Sequence, residues 1–518
     1  MSATEATPND ALNPQGSAWV GANAGAGKTY ILVSRLVRLM LDGVAPEKLL
    51  CLTYTRAAAA EMQSRLFDLL AEWALLDDAA LQAAIGERLG CTADEKTLHA
   101  ARVLFARALE TPGGLRVQTI HGFCESLLKR FPLEAGLSPH FDLMDEQEAQ
   151  NLQSAIIADL LLGTHSAART EAMAVLTRAL AENDVIALGR QILARRDAFD
   201  SARARENLRI LAQAMQLDKG RQADGTLPDP ATVLHQAGQK FLATAKAAMA
   251  WYEGGTANDQ KQAARLQKWL DAYAKTGAAG AETAWVHLRS VFFTEQGGAR
   301  QTLYNAPLAS KNPELAAAMD SAAEDMARLD EQVKALNNYR LTAALYDFAE
   351  ALLSLYAAEK NRRAVLDYDD LVAMTDRMLS AQGAAQWVLF KIDNGLEHIL
   401  VDEAQDTSPA QWRVIKALAD AFFDDAGLSG RDGVARTLFA VGDEKQSIFS
   451  FQGADPRGFA RQGDYFEDVV NAIGGQFARV PMNHSWRSAP QILQAVDLLF
   501  ADNATRQGVT AGADPMHH

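Results

Sequence analysis

One run of residues, Ala22-Asn23-Ala24-Gly25-Ala26-Gly27-Lys28-Thr29, combines small residues, a lysine and a hydroxyl in the spacing of a phosphate-binding loop. Gly25 and Gly27 let backbone N–H groups approach phosphate oxygens; Lys28 suits the β- and γ-phosphates, and Thr29 suits Mg²⁺ through its hydroxyl. The strict pattern has glycine where this chain has Ala22. Much later, Ile399-Leu400-Val401 runs into Asp402-Glu403, an apolar strand that delivers two acids at its end. ATP hydrolysis needs both: Asp402 for the Mg²⁺ shell, Glu403 to take a proton from the attacking water. An isolated Asp-Glu pair is usually a solvated loop; behind an apolar strand, in a chain that also has a phosphate loop, it reads as a catalytic pair.

Two further segments carry chemistry. In Val441-Gly442-Asp443-Glu444-Lys445-Gln446, the amide of Gln446 at a strand end suits the γ-phosphate region and a neighbouring loop. Phe449 and Phe451 follow it; they are core residues or platforms for bases, and such stacking is worth ~1–3 kcal/mol per base. In Asn483-His484-Ser485-Trp486-Arg487-Ser488, Arg487 is suited to stabilise charge on a transferring phosphoryl group if its loop faces the phosphates.

Strands and helices must position these groups. Apolar Ser17–Val20, the glycine-rich loop and the run from Tyr30 to Gly43 read as strand, loop and helix. Leu49–Leu52 leads into an alanine-rich helix, and a short strand near Val117 leads into Thr119-Ile120-His121-Gly122. From about Phe141 to Arg363 helical stretches dominate; strand signals return at His398–Val401 and Leu438–Val441. The expected fold is α/β, a P-loop parallel sheet formed by residues 1–145 and 364–480 and interrupted by a helical insertion at 146–363.

Composition bounds the rest. A chain of 518 residues that is 48% hydrophobic has room for roughly two to four packed domains. Three cysteines, none in a Cys-x-x-Cys pair, exclude a disulfide scaffold and a zinc-ribbon pattern. The first residues lack the pattern of a signal peptide and no apolar stretch is long enough to span a bilayer, so the expected place is the cytoplasm, without a membrane partner. A net charge of −15 confines any nucleic-acid contact to a local patch.

The order of AGAGKT, LTYTRAAAAEM, TIHGFC, LDYDDL, VDEAQDT, VGDEKQSIFSFQGA and NHSWRS resembles the successive motifs of superfamily 1 DNA helicases of the UvrD/Rep/RecB group, from about residue 17 to the end. TIHGFC, SFQGADP and SAWVGANAGAGKT are most similar to the AddA branch, and Gln452, where UvrD and Rep commonly have arginine, favours that branch. The resemblance implies that the sheet is RecA-like and that a second RecA-like domain starts at 481–518; it implies an ATP- and Mg²⁺-dependent 3′-to-5′ helicase in double-strand break repair, acting on single-stranded and tailed double-stranded DNA with an AddB-like partner. It implies that Thr53, Thr55, Arg56, Thr119, His121 and Gly122 lie along the single-strand path, and that Asp369 and Asp370 pack beside the ATP core. Read as residues alone, Thr53 and Thr55 are equally strand-end caps and His121 a structural histidine. In that family an upstream glutamine reads adenine; Gln15 is the only nearby candidate, closer to the loop than the usual spacing.

The family's later helicase motifs and nuclease motif do not occur in the sequence, so the chain is expected to be an N-terminal fragment, weak or inactive in unwinding. Three rivals remain: a UvrD/Rep-type helicase without nuclease, a P-loop switch that never meets DNA, and a DNA-binding scaffold with a decayed ATPase.

Overall fold

The computed structural model describes residues 6–162, 167–221, 226–276, 280–381, 384–393, 395–424, 435–446, 456–501 and 505. The chain divides into two compact units, one of residues 1–145 and 363–518, the other Glu146–Arg362.

Among the described residues the first unit holds eight strands: β1 (Ser17–Ala22), β2 (Leu49–Thr53), β3 (Arg116–Thr119), β4 (Asp142–Leu143), β5 (Val365–Leu366), β6 (His398–Val401), β7 (Thr437–Gly442) and β8 (Phe477–Met482). Six form a parallel sheet in the order β3-β2-β6-β7-β1-β8; β4 and β5 pair separately. Strands covered on both faces read as continuous apolar runs, and β2, β6 and β7 are buried throughout. Side chains alternate between faces: Ala18, Val20 and Ala22 join Leu32, Leu36 and Met40 of the helix Lys28–Leu41, whereas Trp19 joins Trp412, Phe459 and Phe466 on the other face. The Trp19 and Phe459 rings lie 4.8 Å apart, fastening the helix Pro456–Ala472 to β1.

Because all six strands run the same way, their C-terminal ends share one edge. The ends of β6 and β1 flank that of β7, so the acids, the β7 turn and the phosphate loop are neighbours.

β8 was not among the expected strands, and it corrects one boundary. It pairs with β1 from Ser17↔Phe477 to Ala22↔Met482, so a cut between 480 and 481 falls inside a strand of this sheet. As an edge strand containing Pro481, with only Val480 buried, it lacks the apolar run that marks its neighbours.

The second unit is helical, from Glu146–Leu161 to the long helix Pro313–Arg363, with one isolated bridge at Phe293↔Ala299 among the described residues. Its largest core gathers Phe241, Tyr252, Trp269, Trp285 and Met319.

Candidate active site

The phosphate loop is built by two left-handed glycines. Gly25 has φ +76° and Gly27 φ +92°, conformations that favour glycine, and Gly27 caps the helix Lys28–Leu41, whose free N-terminal N–H groups attract anions. The loop is pinned from outside. Asn23 N–H donates to Met482 O (3.1 Å), Ser485 Oγ to Ala24 O (2.8 Å) and Trp486 N–H to Gly25 O (3.0 Å). Lys445 Nζ donates to Asn23 Oδ1 at 2.9 Å. The segment after β8 therefore rests on the loop. It brings Arg487 so close that a Cβ on Gly25 would stand 2.5 Å from Arg487 Cβ.

β6 delivers the acids. Asp402 is buried, and its Oδ1 has no hydrogen-bond partner among the described residues. Burial, then the Glu403 charge, push its pKa up to about 6. Glu403 has φ +48°, a left-handed conformation for a residue with a side chain, a strain on the order of 1 kcal/mol. Its Oε2 accepts from Lys28 Nζ at 2.7 Å and from Gln405 Nε2 at 2.7 Å. Lys28 Nζ also reaches Gln446 Oε1 at 3.5 Å, and Gln446 Nε2 donates to Asp443 Oδ2 at 2.7 Å. Lys28, Glu403 and Gln446, from three strand ends, are thus in direct contact.

A divalent cation fits this donor set. The orphaned oxygen of Asp402 and its raised pKa are what a cation would relieve, and Thr29 presents a half-buried hydroxyl position one residue beyond Lys28. No group of three or more His, Cys, Asp or Glu able to hold a metal occurs among the described residues. The donors present suit Mg²⁺, which takes one or two carboxylates and completes its shell with water and phosphate oxygens.

A separate groove of about 160 Å³ opens at the β2 and β3 ends, lined by Tyr54, Arg56, Thr119, His121, Gly122 and Tyr368, with Glu125 and Leu371. Arg56 Nη2 donates to Tyr368 Oη at 3.3 Å, and the His121 ring stands edge-on to Tyr368 at 6.0 Å. Burial lowers the basicity of His121 and raises the Tyr54 pKa. Thr119 Oγ1 and Thr55 Oγ1 each accept a backbone N–H at 3.0 Å, from Gly122 and Ala58, capping the helices Ile120–Arg130 and Arg56–Leu75. Thr119 thus both caps and lines the groove. Thr53 does neither: it is buried, and its hydroxyl donates to Thr55 O at 3.1 Å.

Asp370 is buried in a capping box with Asp367 at the start of the helix Tyr368–Ser380, while Asp369 is exposed there. Phe449 and Phe451 lie outside the described residues. Gln15 lies away from the phosphate loop. It precedes β1, and its amide reaches Asp42 Oδ2 (3.4 Å) beyond the last turn of the helix Lys28–Leu41, about 20 Å of helix from the phosphate loop. Tyr54, Tyr368 and Gln405 were missed, although each sits within one of the motifs LTYT, LDYDDL and VDEAQDT; Trp486 is 80% exposed, its backbone N–H donates to Gly25 O, and its ring meets the His484 ring edge-on at 4.5 Å.

Residues 4–467 match the family described as the UvrD/REP helicase N-terminal domain. The chain belongs to that family. Curated relatives whose names describe a subunit of the ATP-dependent helicase/nuclease, the one lettered A, are similar over nearly its whole length. That of Pelotomaculum thermopropionicum is 26% identical over 519 residues, covering 94% of this chain and 37% of the relative. That of Desulforudis audaxviator is 28% identical over 516 residues, covering 93% and 38%. The chain spans a little over a third of the length of these relatives. No helix among the described residues is long and apolar enough to cross a membrane.

Proposed function

We propose that this chain is the ATP-hydrolysing front part of a DNA helicase that moves 3′ to 5′ in double-strand break repair, in a larger helicase–nuclease assembly. The observation that carries the reading is the contact of Lys28, Glu403 and Gln446 at adjacent strand ends beside the phosphate loop. On this reading Lys28 leaves Glu403 to meet the β- and γ-phosphates, which frees the carboxylate to accept a proton from water as substrate arrives. Loop N–H groups and the helix start hold the phosphates; Gln446 and Arg487 face the γ-phosphate. Thr29 and Asp402 would hold Mg²⁺, which would offset charge on the phosphate oxygens. Trp486 supplies a stacking face for the base, in place of a glutamine contact.

The groove beside Tyr54 and Tyr368 is the candidate single-strand path, with Arg56 for phosphate and aromatic rings for bases. The second RecA-like domain begins, on this reading, with the residues that follow β8, and the compact helical unit Glu146–Arg362 is the insertion. The relatives are named as parts of a multi-chain enzyme, which supports an AddB-like partner, and a DNA substrate supports the cytoplasm as the place of action.

Mg²⁺-ATP hydrolysis by the purified chain, with and without single-stranded DNA, tests the reading. Hydrolysis that DNA accelerates is expected; turnover indifferent to DNA favours a P-loop switch without a nucleic-acid partner.

A further inference from the structure

Gln405 lies two residues beyond Glu403, is 1% exposed, and bridges the β6 acids and the β7 turn. Its Nε2 donates to Glu403 Oε2 at 2.7 Å and to Asp406 Oδ2 at 3.2 Å; its Oε1 accepts Asp443 N–H at 2.8 Å. Asp443 in turn accepts Gln446 Nε2 at 2.7 Å, Gln446 accepts Lys28 Nζ at 3.5 Å, and Lys28 closes the circuit on Glu403 at 2.7 Å. Five residues from three strand ends therefore form a ring, and Glu403 is held in it from two sides. Gly442 makes room for this: a Cβ there would stand 2.7 Å from Gln405 Oε1 and 2.9 Å from the Phe459 ring.

Nucleotide must remove one of the two holds on Glu403, because Lys28 cannot serve the phosphates and the carboxylate in the same geometry. The other hold remains. We propose that Gln405 is the positioning residue for ATP hydrolysis: it keeps Glu403 aimed at the attacking water once Lys28 has left, and ties that carboxylate to the turn carrying Gln446. The strained φ of Glu403 requires such a hold, since a carboxylate on a left-handed residue relaxes when its partners go. A neutral amide suits the task because it donates without neutralising the proton acceptor, as the Lys28 ammonium does.

The inference rests on reading Glu403 as the proton acceptor, so the experiment crosses the two positions. Turnover and Mg²⁺-ATP affinity are measured, with oligo(dT) present, for the unaltered chain, Gln405→Met, Glu403→Gln and the double variant. Gln405→Met keeps volume and removes all three side-chain hydrogen bonds. It is expected to lower kcat about 10- to 100-fold with affinity changed less than about threefold, and to cost less than about threefold more in the Glu403→Gln background, since a residue acting through another has nothing left to position. Gly442→Ala leaves both side chains intact and pushes the amide from outside; it is expected to show the same split. Multiplicative losses in the double variant, or parallel loss of affinity, overturn the inference while leaving Glu403 as the base. A fully active Glu403→Gln variant overturns the base assignment, and the inference with it.

Discussion

Two buried carboxylates, Asp259 of the helical unit and Asp402 of the sheet unit, meet opposite fates. In the helical unit, Asp259 accepts Thr256 N–H and Oγ1 (each 2.8 Å), Asn305 N–H (3.1 Å) and Asn305 Nδ2 (3.0 Å). Burial alone would raise its pKa, but these hydrogen bonds outweigh burial and hold it below the ordinary carboxylate value. In the sheet unit, Asp402 is buried too, yet one oxygen lacks a partner and its pKa rises to about 6. A carboxylate whose partners are all built in serves the fold. One left incomplete awaits a ligand, and the fold carries its cost.

The largest expected effect sharpens this contrast at the neighbouring acid. Glu403→Gln keeps size and hydrogen bonding but not the proton acceptor, so single-turnover hydrolysis should fall roughly 10²- to 10⁴-fold while Mg²⁺-ATP still binds. Equal loss of binding would make Glu403 a structural residue like Asp259. That residue should behave in reverse: Asp259→Ala strips four donors of their acceptor and should destabilise the helical unit by about 2–4 kcal/mol in urea melts, with nucleotide affinity unchanged. Weakened ATP binding in that variant would break the division of roles.

Lys28→Ala comes next. Removing the cation that faces the phosphates should weaken Mg²⁺-ATP binding about 10- to 100-fold by calorimetry, the worth of a hydrogen bond to a charged group. Unchanged affinity would mean that Lys28 exists for Glu403 rather than for nucleotide.

What the sequence revealed follows the same division. The phosphate loop and the β6 acids were legible because each depends on a local pattern: a glycine-rich turn before a helix, or an apolar run ending in acids. The helical stretch was legible by its length and composition. β8 was not, because an edge strand with one buried residue has no apolar run to show. Gln405 was passed over because its bridging partner, Asp443 N–H, arrives from a strand more than thirty residues later. The place of Gln15 was not legible either, because distance along the chain says nothing of direction: it precedes β1, and its amide meets Asp42 at the far end of the helix that follows the loop. Thr119 shows that cap and groove wall are compatible roles, since its oxygen accepts Gly122 N–H while the residue still lines the groove.

The smallest expected effect tests the contrast most directly, because its sign differs between the units. Asp402 has a folded pKa of about 6, above the ordinary 3.8, so the folded chain binds a proton between those values that the unfolded chain has released. Stability contributed by this group is therefore full below about pH 4, falls as pH rises to about 6, and stays lost above it. Asp402→Asn cannot ionise and escapes that loss. Its amide pays in turn for a buried hydrogen bond left unmade, so the net gain at pH 7 to 8 should be about 1–2 kcal/mol. In urea melts of the nucleotide-free proteins the gap between variant and parent should open from pH 4 to 6 and then stay constant. Mg²⁺-ATP should close it by stabilising the parent, whose carboxylate holds the cation, and not the variant. A variant less stable than its parent at neutral pH, as removal of Asp259 is expected to be, would mean that Asp402 is a satisfied structural acid and that the incompleteness of this site is not what marks it for function.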